Sequence, residues 1–293
     1  MREQTLSPVP TLGSLYAKAL SRTARLAMSK PAGDGTLPQV AYTAELRADA
    51  ATLSAYQTLL GEPGTDELPA GYVHVLAFPL AMALMVRPDF PLPVLGMVHT
   101  ANRVVQHRPL VLGEPLSARA EARSPRRHRR GTEIDLVVTV DSGGQVVWEG
   151  TSTYLAKGRT LPGAAAAPEA PADAEEGPRG EVIALWSLPA DTGKRYGEVS
   201  GDRNPIHTSR VGAKAFGFPR PIAHGMYTAS RALAQLVRFR GDAFTWQVDF
   251  AKPVLLPGRV ALRVDAAGDG VGYVGEHPKS AKVHFTGSVT PHS

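Results

Sequence analysis

Residues 196–226 of this 293-residue chain read "YGEVSGDRNPIHTSRVGAKAFGFPRPIAHGM". Within it, Asp202, Asn204 and His207 stand close together, with Gly201 before them and Pro205 among them. Such residues are common in loops, because glycine permits unusual dihedral angles and Asp and Asn side chains bond to nearby backbone groups. Asp and His side chains can also hold and transfer protons. The segment is therefore a candidate catalytic loop as well as a candidate turn.

The segment resembles the hydratase 2 motif of the MaoC-like, R-specific enoyl-CoA hydratase family. The resemblance is carried by the following residues: Tyr196, Ser200, Gly201, Asp202, Asn204, Pro205, Ile206, His207, Ala213 and the downstream "PIAHGM" at 221–226. It implies an α+β chain with a tandem, or double, hot-dog fold. Each hot-dog unit has a long central helix wrapped by an antiparallel β-sheet.

The resemblance also implies the roles of individual residues. Asp202 and His207 correspond to the family's catalytic pair, with one water between them, and the sequence leaves open which is the base and which the acid. Gly225 corresponds to the oxyanion-hole glycine; a glycine at a helix start lets a backbone N–H approach a ligand closely. Three residues are expected to support the loop or to contact substrate: Asn204, Ser200 and His224. For Ser200 and His224, a purely structural role is the alternative.

Composition divides the chain near its middle. Residues 158–180 are rich in Ala, Pro and Glu with almost no large apolar side chain, which predicts a flexible or loosely packed linker. The predicted units are residues 1–157, a degenerate hot-dog unit, and 181–293, which carries the motif. In the first unit Glu62 of "YQTLLGEPGTDEL" (56–68) stands where the motif has its Asp, and no His follows, so a second active site is not expected.

The two halves share a pattern that indicates duplication. Residues 108–122 align without gaps on 252–266, each a basic residue and Pro, an apolar run, a turn and an alternating strand. Each half places an apolar helix before several strands, namely helices at 73–85 and 224–240. Alternation predicts the strands, for example at 131–142 and 145–156, whereas "GDGVGYVG" (268–275) is interpreted as a hairpin turn.

Several classes of partner and cofactor are not expected. The chain has no Cys, which excludes disulfides and thiolate chemistry and fits a reducing, cytoplasmic location. The nine His residues show no H-x-x-x-H spacing, so no metal site is predicted, and hydration needs no cofactor. The longest apolar stretch, 73–86, is too short to insert into a membrane. The basic run Arg123–Arg130 is interpreted as a solvated hairpin, with a phosphate-binding or acidic-protein patch as the alternative and no nucleic-acid partner expected.

The predicted function is a hydro-lyase reaction, the reversible hydration of a trans-2-enoyl thioester to an (R)-3-hydroxyacyl thioester in fatty acid metabolism. The substrate is an acyl-CoA or an acyl carrier protein thioester; the sequence does not choose the carrier or the direction, and favours medium or long acyl chains only weakly. The alternatives are a hot-dog thioesterase and a non-catalytic acyl-thioester-binding scaffold. A homodimer is the expected assembly, and a monomer is compatible with two units in one chain.

Overall fold

A computed structural model describes residues 1–28, 36–166 and 180–292, with side chains omitted for 22–28. These residues form eight helices and eleven strands. The helices are α1 (Leu12–Met28), α2 (Ala50–Leu60), α3 (Ala70–Met85), α4 (Thr192–Ser200), α5 (Pro205–Thr208), α6 (Arg210–Ala215), α7 (Gly225–Ala234) and α8 (Val237–Arg240). The strands are β1 (Arg2–Thr5), β2 (Val40–Leu46), β3 (Val98–Gln106), β4 (Leu116–His128), β5 (Gly131–Ser142), β6 (Gln145–Lys157), β7 (Glu181–Leu188), β8 (Phe244–Phe250), β9 (Gly258–Ala267), β10 (Gly270–Glu276) and β11 (Val283–Pro291).

The chain folds into two compact units that are not consecutive in sequence. Among the described residues, the first comprises those within 1–47, 74–102 and 113–166, and the second comprises those within 48–73, 103–112 and 180–292. Residues 48–73, which include α2, therefore pack with the C-terminal half, although they precede the linker by about a hundred positions. Helix α2 contacts both α4 and α7.

The first unit is a sheet with one apolar helix on its face. Its strand order is β1-β2-β4-β5-β6-β3. Strand β5 alternates as predicted, with Ile134, Leu136, Val138 and Val140 buried. Ala77 and Ala81 of α3 line a small cleft together with Leu136 and Trp148 of the sheet, so the helix lies over these strands. The long apolar helix therefore finds its burial against the alternating face of the sheet.

The second unit repeats this plan. Its sheet order is β8-β11-β10-β9-β7, and every adjacent pair is antiparallel. Helix α7 lies against this sheet: Gly225 at its start faces the Phe250 ring, and the Arg231 guanidinium lies 5.0 Å from the centre of the Trp186 ring. The first unit's sheet is also largely antiparallel, with β1 and β2 as a parallel pair at its edge. A helix packed on such a sheet in each unit is the double hot-dog fold that the sequence predicted.

Some predicted elements differ from the structure. Residues 268–275 were interpreted as a turn, but only Gly268 and Asp269 turn, while 270–276 form β10, paired on both edges. Gly275 lies against the Phe285 ring, where no side chain would fit, so this glycine belongs to a covered strand and not to a turn. The helix predicted at 224–240 is two helices, α7 and α8, separated at residues 235–236.

The Arg123–Arg130 run forms the end of β4 and the turn into β5, as the hairpin interpretation predicted. One of its members is only partly exposed: Arg126 forms a two-pronged ion pair with Asp135, and the Nη2 to Oδ1 distance is 2.6 Å. Of the predicted linker, residues 167–179 lie outside the described residues. Its first part packs on this hairpin, where the Arg127 amide donates to the Ala165 carbonyl at 2.8 Å. None of the described helices is long and apolar enough to span a membrane.

Candidate active site

The motif begins at the end of α4, where the chain turns sharply. Gly201 ends the helix with a φ of 72°, in the left-handed region that glycine adopts without strain. The buried Ser200 hydroxyl donates to the Tyr196 carbonyl at 2.7 Å and accepts the Asp202 N–H at 3.2 Å. Both of these hydrogen bonds join the Ser200 side chain to backbone groups of the motif segment, which supports a structural role over substrate contact.

Asn204 begins the short helix α5. Its side-chain oxygen accepts the Ile206 N–H at 3.3 Å, and its own N–H donates to Asp202 Oδ1 at 3.1 Å. Pro205 follows at the first helical position, where a missing N–H costs nothing. Asn204 and Pro205 thus fix the carboxylate of Asp202 and turn the chain so that His207, on the same helix, enters the protein.

His207 is buried and held in one tautomer. Its Nδ1 lies 2.8 Å from the Ile222 carbonyl oxygen, which can only accept, so Nδ1 carries the proton. Burial, together with the neighbouring His224, lowers the pKa of His207 to about 3, against the opposing effects of Asp202 and of the hydrogen bond to Ile222. The ring is neutral at physiological pH, and its Nε2 is left as a proton acceptor.

His224 is the second buried histidine of the site. Its Nε2 lies 3.0 Å from the Asp202 backbone carbonyl, to which it donates, and 3.7 Å from the Asp202 Oδ2. Its ring stacks on that of His207 with the centres 3.7 Å apart. Burial lowers the pKa of His224 as well, so the stacked pair is neutral. His224 therefore contacts both the backbone of Asp202 and the ring of His207, and its supporting role stays a prediction.

Gly225 is the first residue of α7 and directly follows His224. The first N–H groups of a helix have no partner within it, so the amide of Gly225 starts the positive end of the helix dipole. A Cβ at this position would lie 3.0 Å from the Phe250 ring, closer than side chains normally pack. The position is thus shaped for a residue without a side chain, as the oxyanion-hole interpretation requires.

The three ionisable side chains form one cluster. Asp202, His207 and His224 each offer a ligand atom, and these atoms lie within 4.8 Å of one another. Two hydrogen bonds of about 2.8 Å through one water span such a gap. Two His and one carboxylate are also a set that a transition metal accepts. Sequence spacing did not reveal this grouping, because the two His stand seventeen residues apart and are brought together by the fold. The expectation of no metal site stays a prediction.

Two glycines of α4 are further residues of the site that the sequence reasoning missed. A Cβ on Gly193 would collide with the carbonyl of His207, and one on Gly197 would lie 2.9 Å from the Asp202 carbonyl oxygen. These positions let the loop of the motif, residues 201–207, lie directly on the helix backbone. The visible signal was two glycines in a nine-residue helix, where glycine is otherwise unfavourable.

Comparison with known proteins agrees with this geometry. Residues 172–291 match the family model described as "MaoC like domain". The chain is 38% identical over 254 residues to 3-hydroxyacyl-thioester dehydratase X of Mycobacterium tuberculosis, an alignment that covers 86% of this chain and 89% of the relative. The chain belongs to the MaoC-like family. The motif that suggested the family and the overall alignment thus lead to the same assignment.

Solved structures of MaoC-like proteins extend this agreement to the fold. The crystal structure of HtdX from Mycobacterium tuberculosis has a TM-score of 0.75 and 33% identity, covering 85% of this chain and 99% of that one. A MaoC-like dehydratase from Phytophthora capsici, 21% identical, has a TM-score of 0.68 over 88% of this chain and 97% of that one, and supports the fold alone.

Proposed function

We propose that this MaoC-like protein is an (R)-specific hydro-lyase that adds water reversibly to a trans-2-enoyl thioester, giving the (R)-3-hydroxyacyl thioester. The observation that carries the proposal is the placement of the Asp202 and His207 side chains within the reach of one water, beside the helix start at Gly225. The relatives' names agree: one is a 3-hydroxyacyl-thioester dehydratase, and another, from Methylorubrum extorquens, is a 3-hydroxybutyryl-CoA dehydratase.

The neutral His207 determines how protons move. Its Nδ1 proton is committed to the Ile222 carbonyl, so the free Nε2 accepts a proton from water rather than supplying one. Hydration needs one proton to leave the water as its oxygen attacks C3, and one proton to reach C2. A proton taken by the Asp202–His207 pair and returned to C2 satisfies both needs. Because the pair holds water on one face of the substrate, the addition is syn.

The thioester oxygen gains negative charge when C3 is attacked. The N–H of Gly225 at the start of α7 supplies a fixed donor and the positive end of a helix dipole for that charge. Such a donor needs no reorganisation during the reaction. Groups of the chain itself therefore position the water, carry its proton and stabilise the oxyanion, and the proposed reaction uses neither a metal nor an organic cofactor.

The experiment is the loss of enoyl-thioester absorbance with crotonyl-CoA and a C12 homologue, comparing wild type with Asp202→Asn and His207→Ala. We expect (R)-3-hydroxy product from wild type and almost none from folded variants. Release of free thiol with the double bond intact would establish a thioesterase instead. No reaction with either thioester would favour a non-catalytic scaffold. The same samples, passed over a sizing column, test the proposed homodimer.

A further inference from the structure

The helix α6, next to the catalytic loop, presents an unusual face to solvent. At about 100° per residue, Arg210, Lys214, Val211 and Ala215 follow one another around roughly 140° of this helix, and all four are exposed. Val211 is 80% exposed, and Phe216, which ends the helix, is 36% exposed. The face therefore carries cations along one side and apolar side chains along the other.

The surroundings of α6 are strongly basic. Between residues 192 and 222 six cations are exposed or half-exposed, whereas the acids are the exposed Glu198 and the half-exposed Asp202. Within the described residues, none of these cations forms an ion pair with a carboxylate. The cations are Lys194, Arg195, Arg203, Arg210, Lys214 and Arg220. Cations without an ion-pair partner, beside exposed apolar side chains, match a partner surface of the opposite charge.

The α6 face is joined directly to the reaction site. Helix α6 packs on α5, which carries His207, and Gly212 lies so close to Pro205 that no side chain would fit between them. The chain leaving α6 returns to Ile222, whose N–H donates to the Ile206 carbonyl and whose carbonyl accepts from the His207 Nδ1. A partner on this face would therefore sit beside the catalytic His.

We propose that the α6 face is the docking surface for an acidic carrier protein that delivers the acyl thioester. The proposal rests on the proposed function and assigns its carrier. Coenzyme A phosphates need cations alone, and the Arg123–Arg130 hairpin offers cations without a large exposed apolar side chain. The α6 face has both, as the core and rim of a protein interface do. Its cations steer the acidic carrier, and Val211 and Phe216 contact its apolar surface.

The test compares one crotonyl group on three carriers: a bacterial holo acyl carrier protein, coenzyme A and pantetheine. We expect the double variant Arg210→Glu/Lys214→Glu to lower kcat/KM on the carrier-protein substrate by on the order of tenfold, mostly through KM, relative to the pantetheine substrate. Rising salt should likewise lower the wild-type kcat/KM on the carrier-protein substrate. The Val211→Ser variant should also have a lower kcat/KM on this substrate, with little change in its salt dependence.

The matched control is Arg129→Glu/Arg130→Glu, an equal charge change on the hairpin of the first unit, which should leave the preference among carriers unchanged. An equal loss on coenzyme A and carrier protein would overturn the proposal and make α6 a phosphate site. A change of oligomeric state in Val211→Ser would make it a contact between copies. If wild type converts none of the three thioesters, the proposed function fails. Binding of the holo carrier protein without an acyl group, compared between wild type and the double variant, still tests the docking surface separately.

Discussion

Two stretches of the second unit have the same local design and different chemistry. Residues 49–62 and 191–202 each form a helix that ends at a left-handed glycine followed by an acid: Gly61 has a φ of 77° and precedes Glu62, and Gly201 has a φ of 72° and precedes Asp202. Tyr56 and Tyr196 stand at matching positions of α2 and α4, and their rings are 6.4 Å apart between centres. The helix, the turn and the acid are thus common to both stretches.

The difference begins directly after the acid. Asp202 is followed by Asn204 and His207, which hold it and share its site. Glu62 has no such neighbours; its Oε2 lies 3.8 Å from the Arg240 Nη2, and burial raises the pKa of Glu62. The helix–glycine–acid unit is therefore common scaffold. Under the proposed function, the chemistry requires in addition the residues that follow Asp202 and the His224–Gly225 pair at the start of α7.

The largest expected effect comes from replacing the acid in each of the two stretches. Asp202→Asn should lower kcat by 10² to 10⁴ fold, the usual worth of a positioned proton carrier, whereas Glu62→Gln should leave kcat nearly unchanged. Enoyl-thioester absorbance measures the rates, and circular dichroism checks that both proteins are folded. Comparable losses in the two variants would mean that Glu62 also takes part in the reaction.

A second, smaller effect concerns the N–H of Gly225. Both Gly225→Ala and Gly225→Pro add a side chain that crowds Phe250, but only Gly225→Pro also removes the N–H. Proline is otherwise tolerated at a first helical position. We expect the Pro variant to be slower than the Ala variant by about 10² to 10³ fold in kcat. Equal rates for the two variants would show that the amide carries no charge in the transition state.

The two stretches should also respond to pH with opposite signs. The folded-state pKa of His207 is lowered, so between pH 6.5 and about 3 the unfolded chain binds more protons and stability falls as pH falls, at up to about 1.4 kcal/mol per pH unit. The folded-state pKa of Glu62 is raised, so its contribution is full below pH 4.5 and is lost as pH rises through the folded pKa.

Urea unfolding at pH 5 and pH 7 measures these slopes in wild type, His207→Gln and Glu62→Gln. The His207→Gln variant should lose less stability than wild type on going from pH 7 to pH 5. The Glu62→Gln variant should lose more over the same interval. A wild-type slope in both variants would contradict the assignment of these buried groups.

The smallest expected effect tests the shared scaffold itself. Gly61→Ala and Gly201→Ala each place a side chain at a positive φ, and each should cost about 1 to 2 kcal/mol of unfolding free energy. Only the Gly201 variant should also slow the reaction, since it displaces Asp202. Gly64→Ala, where nothing lies within 4 Å of the added carbon, is the control for both. Loss of activity in the Gly61 variant would link the two stretches functionally.

Local sequence was sufficient for features that depend on neighbours in the chain. Strand β5 was predicted at its observed bounds because alternation reports one buried and one open face. The turn at Gly201, the start of α5 at Asn204 and the placement of Asp202 and His207 on one loop also follow from residues within a few positions of each other. The double hot-dog fold could be predicted for the same reason, because the motif that carries the family resemblance is contiguous in sequence.

Tertiary structure alone decided what depends on distant parts of the chain. The stacking of His224 on His207, the tautomer set by Ile222 and the low pKa of His207 arise from burial that no local pattern reveals. The assignment of residues 48–73 to the second unit is likewise a result of packing. The sequence by itself determined which groups can react, because reactivity is a property of residue type and local spacing. The fold determined their protonation and their partners, because both depend on how water is excluded by residues far away in the chain.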